Sequence, residues 1–171
     1  MGTLESITSR PLLLLIAGVQ GAIGSTLALA SIIMGRQPER IAPYLTTADW
    51  WAAGSAPEVH VAGWDASPKP MSDAMDQQGV VPEALWRDAR QALDAIQVAP
   101  APDGGLSLSE QVARLAVDID AYRKARPESQ PVLINFLPAC PQCDFSAADD
   151  PARGTRFPDM AYVRAALQAR I

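Results

Sequence analysis

The chain has 171 residues, a net charge of −5 and 49% hydrophobic residues, which is enough for one sizeable core and one domain. The acidic balance and the lack of a basic run argue against nucleic acid as a partner. Two cysteines, Cys140 and Cys143, make no disulfide framework, and the residues before Leu12 lack the basic run of an export signal, so a reducing cytoplasm is the expected setting.

In chain order, Leu12–Ala17 is a continuous apolar run, as expected of a strand buried on both faces. The glycine-rich turn Gly18-Val19-Gln20-Gly21 follows, and Ala22–Met34 fits a helix. Strand, glycine turn and helix in that order let backbone N–H groups approach a phosphate where the helix dipole favours negative charge. Two other readings compete. The uncharged stretch from Pro11 to Gly35 has the length of a membrane span. Its centre, however, holds Gln20, three glycines, Ser25 and Thr26, and no second apolar span follows, so no membrane contact is expected. A strand and helix packed by glycines with no ligand is the other alternative.

Residues 36–57 read as an irregular insertion, broken by Pro38, Pro43, Gly54 and Pro57. Glu58–Asp65 is the second strand, with Asp65 at its carboxyl end. Met71–Gln77 fits a short helix and Pro82–Ile96 a longer one, with Pro82 near a first turn. Val98–Gly105 is a loop by its breakers. Ser107-Leu108-Ser109-Glu110 matches a capping box. Leu108, Val112, Leu115, Ile119 and Tyr122 then mark one apolar helix face. Val132–Leu137 is another buried strand and 138–158 a polar loop. Asp159 caps a last helix to about Ala169, with Ala161, Val163, Ala166 and Leu167 available for burial. Strands alternating with helices predict an α/β fold, a Rossmann-like doubly wound parallel sheet with helices on both faces, in a single domain over 1–171.

Asp65 is the most useful single residue. In dinucleotide folds an acidic residue ending the second strand accepts hydrogen bonds from the adenine ribose hydroxyls, which favours NAD over NADP. The generic spacing from the glycines is about 20 residues. The gap from Gly18 to Asp65 is much longer, so the insertion at 36–57 has to supply the difference, and a surface aspartate is the alternative.

The stretch Gly18 to Leu27 resembles the glycine loop of the myo-inositol-1-phosphate synthase family, G-x-G-G-x-x-G-[ST]-T. Ala62-Gly63-Trp64-Asp65 is similar to that family's S/G-G-W-D motif. Met71–Met75 and Val80-Val81 resemble its continuation, and Ser107–Lys124 and Val132–Leu137 resemble its next helix and strand. The similarity runs in register over nearly the whole chain, and the family carries an insertion before the aspartate. The resemblance implies an NAD-binding amino-terminal part of such an enzyme. Gly18, Gly21, Ala22, Gly24 and Ser25 would wrap the pyrophosphate, with Gln20 and Ile23 completing the loop, and Asp65 would hold the adenine ribose.

The family reaction turns glucose 6-phosphate into inositol phosphate by an internal NAD-dependent redox cycle. The implied partners are the nucleotide, a sugar phosphate where the unit is part of a longer protein, and further copies of the chain in a homo-oligomer. Three departures stand out. Gln20 replaces a loop glycine. Phe136–Pro141 replaces a polar T-A-N-T-E-like segment. The two lysines, Lys69 and Lys124, match none of the family's catalytic lysines, so no catalytic residue is assigned and the second, catalytic domain is absent from these residues.

A non-catalytic nucleotide-binding module or partner subunit is a second reading. A small redox protein using Cys140-Pro141-Gln142-Cys143 is a third. One C-x-x-C offers two ligands where structural zinc takes four, so no metal site is assigned. His60 and the four tryptophans read as structural.

Overall fold

The structure is a computed structural model and describes residues 10–36, 57–137 and 158–171. The chain runs β1 (Leu12–Ala17), α1 (Ala22–Arg36), β2 (Val59–Asp65) and α2 (Met71–Gln78). Two short 3-10 turns at Glu83–Leu85 and Arg87–Ala89 lead into α3 (Arg90–Asp94). β3 (Gln97–Pro100), α4 (Leu108–Ala125), β4 (Gln130–Asn135) and α5 (Pro158–Ala169) complete it. The four strands form one parallel sheet in the order β3-β2-β1-β4. This is an α/β, Rossmann-like arrangement, as the alternating elements predict.

Side chains alternate across β1, so one strand feeds two cores. Leu13, Leu15 and Ala17 join Ala62 and Trp64 beneath α4 and α5. Ile16 faces the other way, onto Ala28 and Leu29 of α1, Met71 and Met75 of α2, and Trp86 and Leu93. Helices therefore cover both faces of the sheet. The apolar face expected of α4 is buried in full, at Leu108, Val112, Leu115, Ile119 and Tyr122. Its capping box forms: the Glu110 N–H donates to Ser107 Oγ and the Ser107 N–H to Glu110 Oε2.

Four expectations need correction. Val98–Gly105 is not all loop, because Gln97–Pro100 is an edge strand paired with Ala62–Asp65. Pro100 is tolerated because it ends an edge strand, where a missing N–H costs little, and Pro102 lies beyond the strand. Pro82–Ile96 is not one helix. Trp86, with φ −126° and ψ −4°, breaks it, and its buried indole donates to the Val81 carbonyl at 3.2 Å. Burial of that ring overrides helix propensity.

In α5 the buried face is Ala161, Tyr162, Ala165 and Ala166, whereas Val163 and Leu167 are exposed. Tyr162 takes the inward position by packing edge-on to Trp64, at 5.4 Å and 65°. Asp159 stands in the first turn rather than at the cap, since the helix begins at Pro158. Most of the insertion at 36–57 and of the loop at 138–158, including Cys140 and Cys143, lies outside the described residues. Among the described residues no helix is long and apolar enough to cross a membrane.

Candidate functional site

The carboxyl ends of the parallel strands gather the residues of interest. β1 ends in a tight turn that begins at Gly18, with φ +79°, a backbone state suited to glycine. The Gly18 and Val19 N–H groups both donate to the Trp64 carbonyl, at 2.9 and 3.2 Å. Gly21 N–H donates to the Gly18 carbonyl at 3.1 Å, and Gln20 N–H to Asp65 Oδ2 at 3.1 Å. Four successive turn donors are thus spent inside the protein.

The first backbone bond of α1 is Ser25 N–H to the Gly21 carbonyl, at 2.9 Å. Ala22, Ile23 and Gly24 are therefore the orphan donors of the helix start, without a backbone partner among the described residues. No acidic side chain occupies that first turn. The geometry leaves a positive helix end with three N–H groups available to an anion. The Ser25 hydroxyl is turned back to the Ala22 carbonyl, at 3.3 Å.

The glycines differ in what they do. A Cβ on Gly24 would lie 2.5 Å from the Gly18 carbonyl oxygen and 2.7 Å from that of Val19. Its bareness lets α1 pack against the turn. A Cβ on Gly21 would meet only the Gly18 carbonyl oxygen, at 3.2 Å.

Gln20, the departure from the family loop, does not fill the mouth of the turn. Its side chain is 2% exposed. Its amide forms a reciprocal pair with the Lys69 backbone: Oε1 accepts the Lys69 N–H at 3.2 Å and Nε2 donates to the Lys69 carbonyl. Gln78 Nε2 donates to the Gln20 carbonyl at 3.2 Å. Gln20 thus clips the turn to the segment after β2.

Asp65 is half-buried at the end of β2. Its carboxylate holds the Gln20 N–H, and its carbonyl accepts the Ala101 N–H at 2.8 Å. It is therefore tied to the glycine turn itself. Beside it lies a cleft of about 230 Å³ between Gly18, Asp65, Pro102, Gln111, Leu137 and Tyr162. Tyr162 is 2% exposed and its hydroxyl has no hydrogen-bond partner among the described residues. Burial raises its pKa well above the ordinary phenol range, with the charges of Asp65 and Asp118 adding to the effect, so it is a protonated donor. Sequence reasoning missed Tyr162, which carries no motif; it takes its place because α5 turns it inward against Trp64.

The other residues singled out stand apart. His60 lies 3.6 Å from Glu58 near the opposite end of β2, beside a 260 Å³ cleft. Lys124 lines a shallow 790 Å³ depression with Arg10 and Arg126. Lys69 reaches Gln77 rather than the turn. Neither of these larger hollows includes a glycine-turn residue or Asp65. Among the described residues no group of three or more His, Cys, Asp or Glu is placed to hold a metal.

No protein-family model matches the chain, and no curated protein matches it in sequence. Among solved structures the chain is similar to inositol-3-phosphate synthase from Caenorhabditis elegans, with a TM-score of 0.67 and 13% identity. The match covers 95% of this chain and 43% of that one, so the chain spans less than half of that synthase. At this identity the likeness is one of fold: the chain shares the α/β, Rossmann-like architecture of part of an inositol-3-phosphate synthase.

Proposed function

We propose that this chain is a nucleotide-binding unit that takes NAD, related to the cofactor part of an inositol-3-phosphate synthase. The observation that carries the reading is the bond from Gln20 N–H to Asp65 Oδ2. It sets a carboxylate beside a helix start whose Ala22, Ile23 and Gly24 N–H groups have no backbone partner among the described residues. An anion and a neighbouring diol are the two features of an adenosine diphosphate, and this arrangement offers donors to one and an acceptor to the other. The residues present therefore fit the group. Bound NAD would supply hydride transfer. The chain's own part is to hold the pyrophosphate on the start of α1, to accept the ribose hydroxyls on Asp65, and to disfavour a 2′-phosphate by charge.

No side chain of this site is proposed as an acid, a base or an enolate-stabilising cation, since Lys69 and Lys124 are both directed elsewhere. Turnover of a sugar phosphate, homo-oligomer formation and a cytoplasmic setting remain proposals for the whole protein, by analogy of fold.

Calorimetry on the chain tests the reading. NAD should bind more tightly than NADP, and Asp65→Asn should narrow that preference. Equal or tighter binding of NADP by the native chain would reject the role given to Asp65. No heat with either nucleotide would reject the reading as a whole.

A further inference from the structure

The end of the sheet opposite the glycine turn carries a charge pattern that nucleotide binding does not use. Arg10 precedes β1, Gln130 opens β4, and the last turns of α4 and α5 border the same hollow of about 790 Å³. One strand length, roughly 20 Å, separates it from the glycine turn. Its lining holds five cations, Arg10, Arg123, Lys124, Arg126 and Arg170, and one acidic side chain, Asp120. All five cations are exposed, and none forms an ion pair with a described residue. In a chain of net charge −5 so basic an end needs an account.

Helix ends supply part of it, because the carbonyl groups at a helix C-terminus attract cations. Arg123 donates to the Ala169 carbonyl at 3.2 Å, and Arg10 Nε to the Glu128 carbonyl at 2.8 Å. Two helix ends amount to about one negative charge and Asp120 adds another, so about three positive charges are left over. The same backbone bonds hold two guanidinium groups in place, and each keeps further N–H donors.

Arg170 is a second, independent sign. Its φ is +54°, and among the described residues it alone, glycine apart, has a positive φ. It forms the left-handed cap of α5, with its N–H donating to the Leu167 carbonyl and the Ile171 N–H to the Ala166 carbonyl. Glycine is the usual residue of such a cap, because a side chain there costs conformational energy. An arginine kept there against its backbone preference adds a guanidinium to the hollow.

Chemistry and size narrow the ligand. Four of the five cations are arginines, whose planar donor forks match phosphate oxygens. The volume falls within the ~300–1,000 Å³ of small-molecule sites. The acidic remainder of the chain would repel an extended polyanion, so the anion is compact. We propose that this hollow is a second anion site, separate from the nucleotide site, which takes a compact small molecule bearing two or more phosphates on Arg10, Arg123, Arg126 and Arg170.

The test is calorimetric titration of the chain with inorganic tripolyphosphate, alone and in excess NAD. Arg170→Gly and Arg126→Gln are compared with Arg87→Gln, an exposed arginine outside the hollow. Arg170→Gly relieves the positive φ, so its melting temperature should hold or rise while tripolyphosphate binds about tenfold more weakly. Arg126→Gln should lose a similar amount and Arg87→Gln none, and tripolyphosphate should stay bound in excess NAD. Unchanged affinity in both Arg170→Gly and Arg126→Gln would overturn the inference, as would absence of heat with tripolyphosphate. Complete displacement by NAD would overturn it too, because the anion would then sit on the start of α1. Tighter binding of a decaglutamate peptide than of tripolyphosphate would overturn it in favour of an acidic protein partner.

Discussion

Gly63 sits against the Ile16 carbonyl so tightly that any Cβ would overlap the oxygen, with the Val19 side chain 3.0 Å away on another side. Ile16 and Gly63 are partners in the β1–β2 ladder. The glycine of the G-W-D sequence is therefore a packing requirement at the point where the strand pair meets the glycine turn. Gly63→Ala should destabilise the chain by about 3 kcal/mol, through forced displacement of backbone that has no room to yield. Urea unfolding measures this. A change below about 1 kcal/mol, the range of ordinary overpacking at its mildest, would mean that the strands part more easily than their contacts imply.

The glycines of the turn should separate by function. Gly24→Ala brings a methyl group onto two backbone oxygens, so both stability and nucleotide binding should fall. Gly21→Ala meets one contact at 3.2 Å and should cost little stability. It should still weaken nucleotide binding, because the methyl group stands at the start of α1. Parallel melting and calorimetry on the two variants would show it. Equal losses in both measurements would mean that the turn only packs.

Gln20→Gly would bring the loop nearer to the pattern it resembles, and it should nevertheless harm the protein. The buried Gln20 amide satisfies both backbone groups of Lys69. Removing it strands a donor and an acceptor, at a cost of about 2 kcal/mol. A melting temperature that holds or rises would show that water replaces the amide without penalty.

Alkaline pH should unfold the chain early. Burial, then the charge of Asp118, pushes the Tyr122 phenol up to about 12, and burial together with Asp65 and Asp118 raises Tyr162 as well. Folding favours the neutral phenols in both cases. Their contribution is complete below the unfolded phenol value of about 10 and is lost as pH rises from there through the folded values. Stability should therefore decline steadily above about pH 10. Phenolate absorbance should show fewer of the three tyrosines ionised in native than in denatured chain near pH 11, about one unit above the ordinary phenol value. Identical titration in both states would contradict the burial described for Tyr122 and Tyr162.

The fold was legible wherever one local signal sufficed. The apolar run of β1, the glycine turn, the capping box at Ser107 and the helical spacing from Leu108 to Tyr122 each specify their element without help from distant residues. Failures came where a distant partner decides. β3 is a strand because β2 offers it a ladder, against its own proline. The helix expected over 82–96 is broken because Trp86 needs a buried place and a carbonyl.

The site divides in the same way. Gly18, Gly24 and Asp65 could be picked out by type and order. The inward turn of Gln20 could not, because Lys69 supplies its partners. Tyr162 could not either, since its exposure depends on which face α5 gives to Trp64.

The pairing of β1 sets an order of events for folding. Leu12 lies in register with Val59 of β2 on one side and Gln130 of β4 on the other, both strands parallel to β1 and both far along the chain. Contacts so distant in sequence form late, because the loop entropy is spent before they can reward it. β1 is thus among the last strands of the sheet to gain both its neighbours. The glycine turn that follows it reaches its final shape only when Trp64 and Asp65 have docked. A nascent chain halted before Gln130 should expose an apolar strand with one flank unmatched, and refolding of this chain from denaturant should be slow.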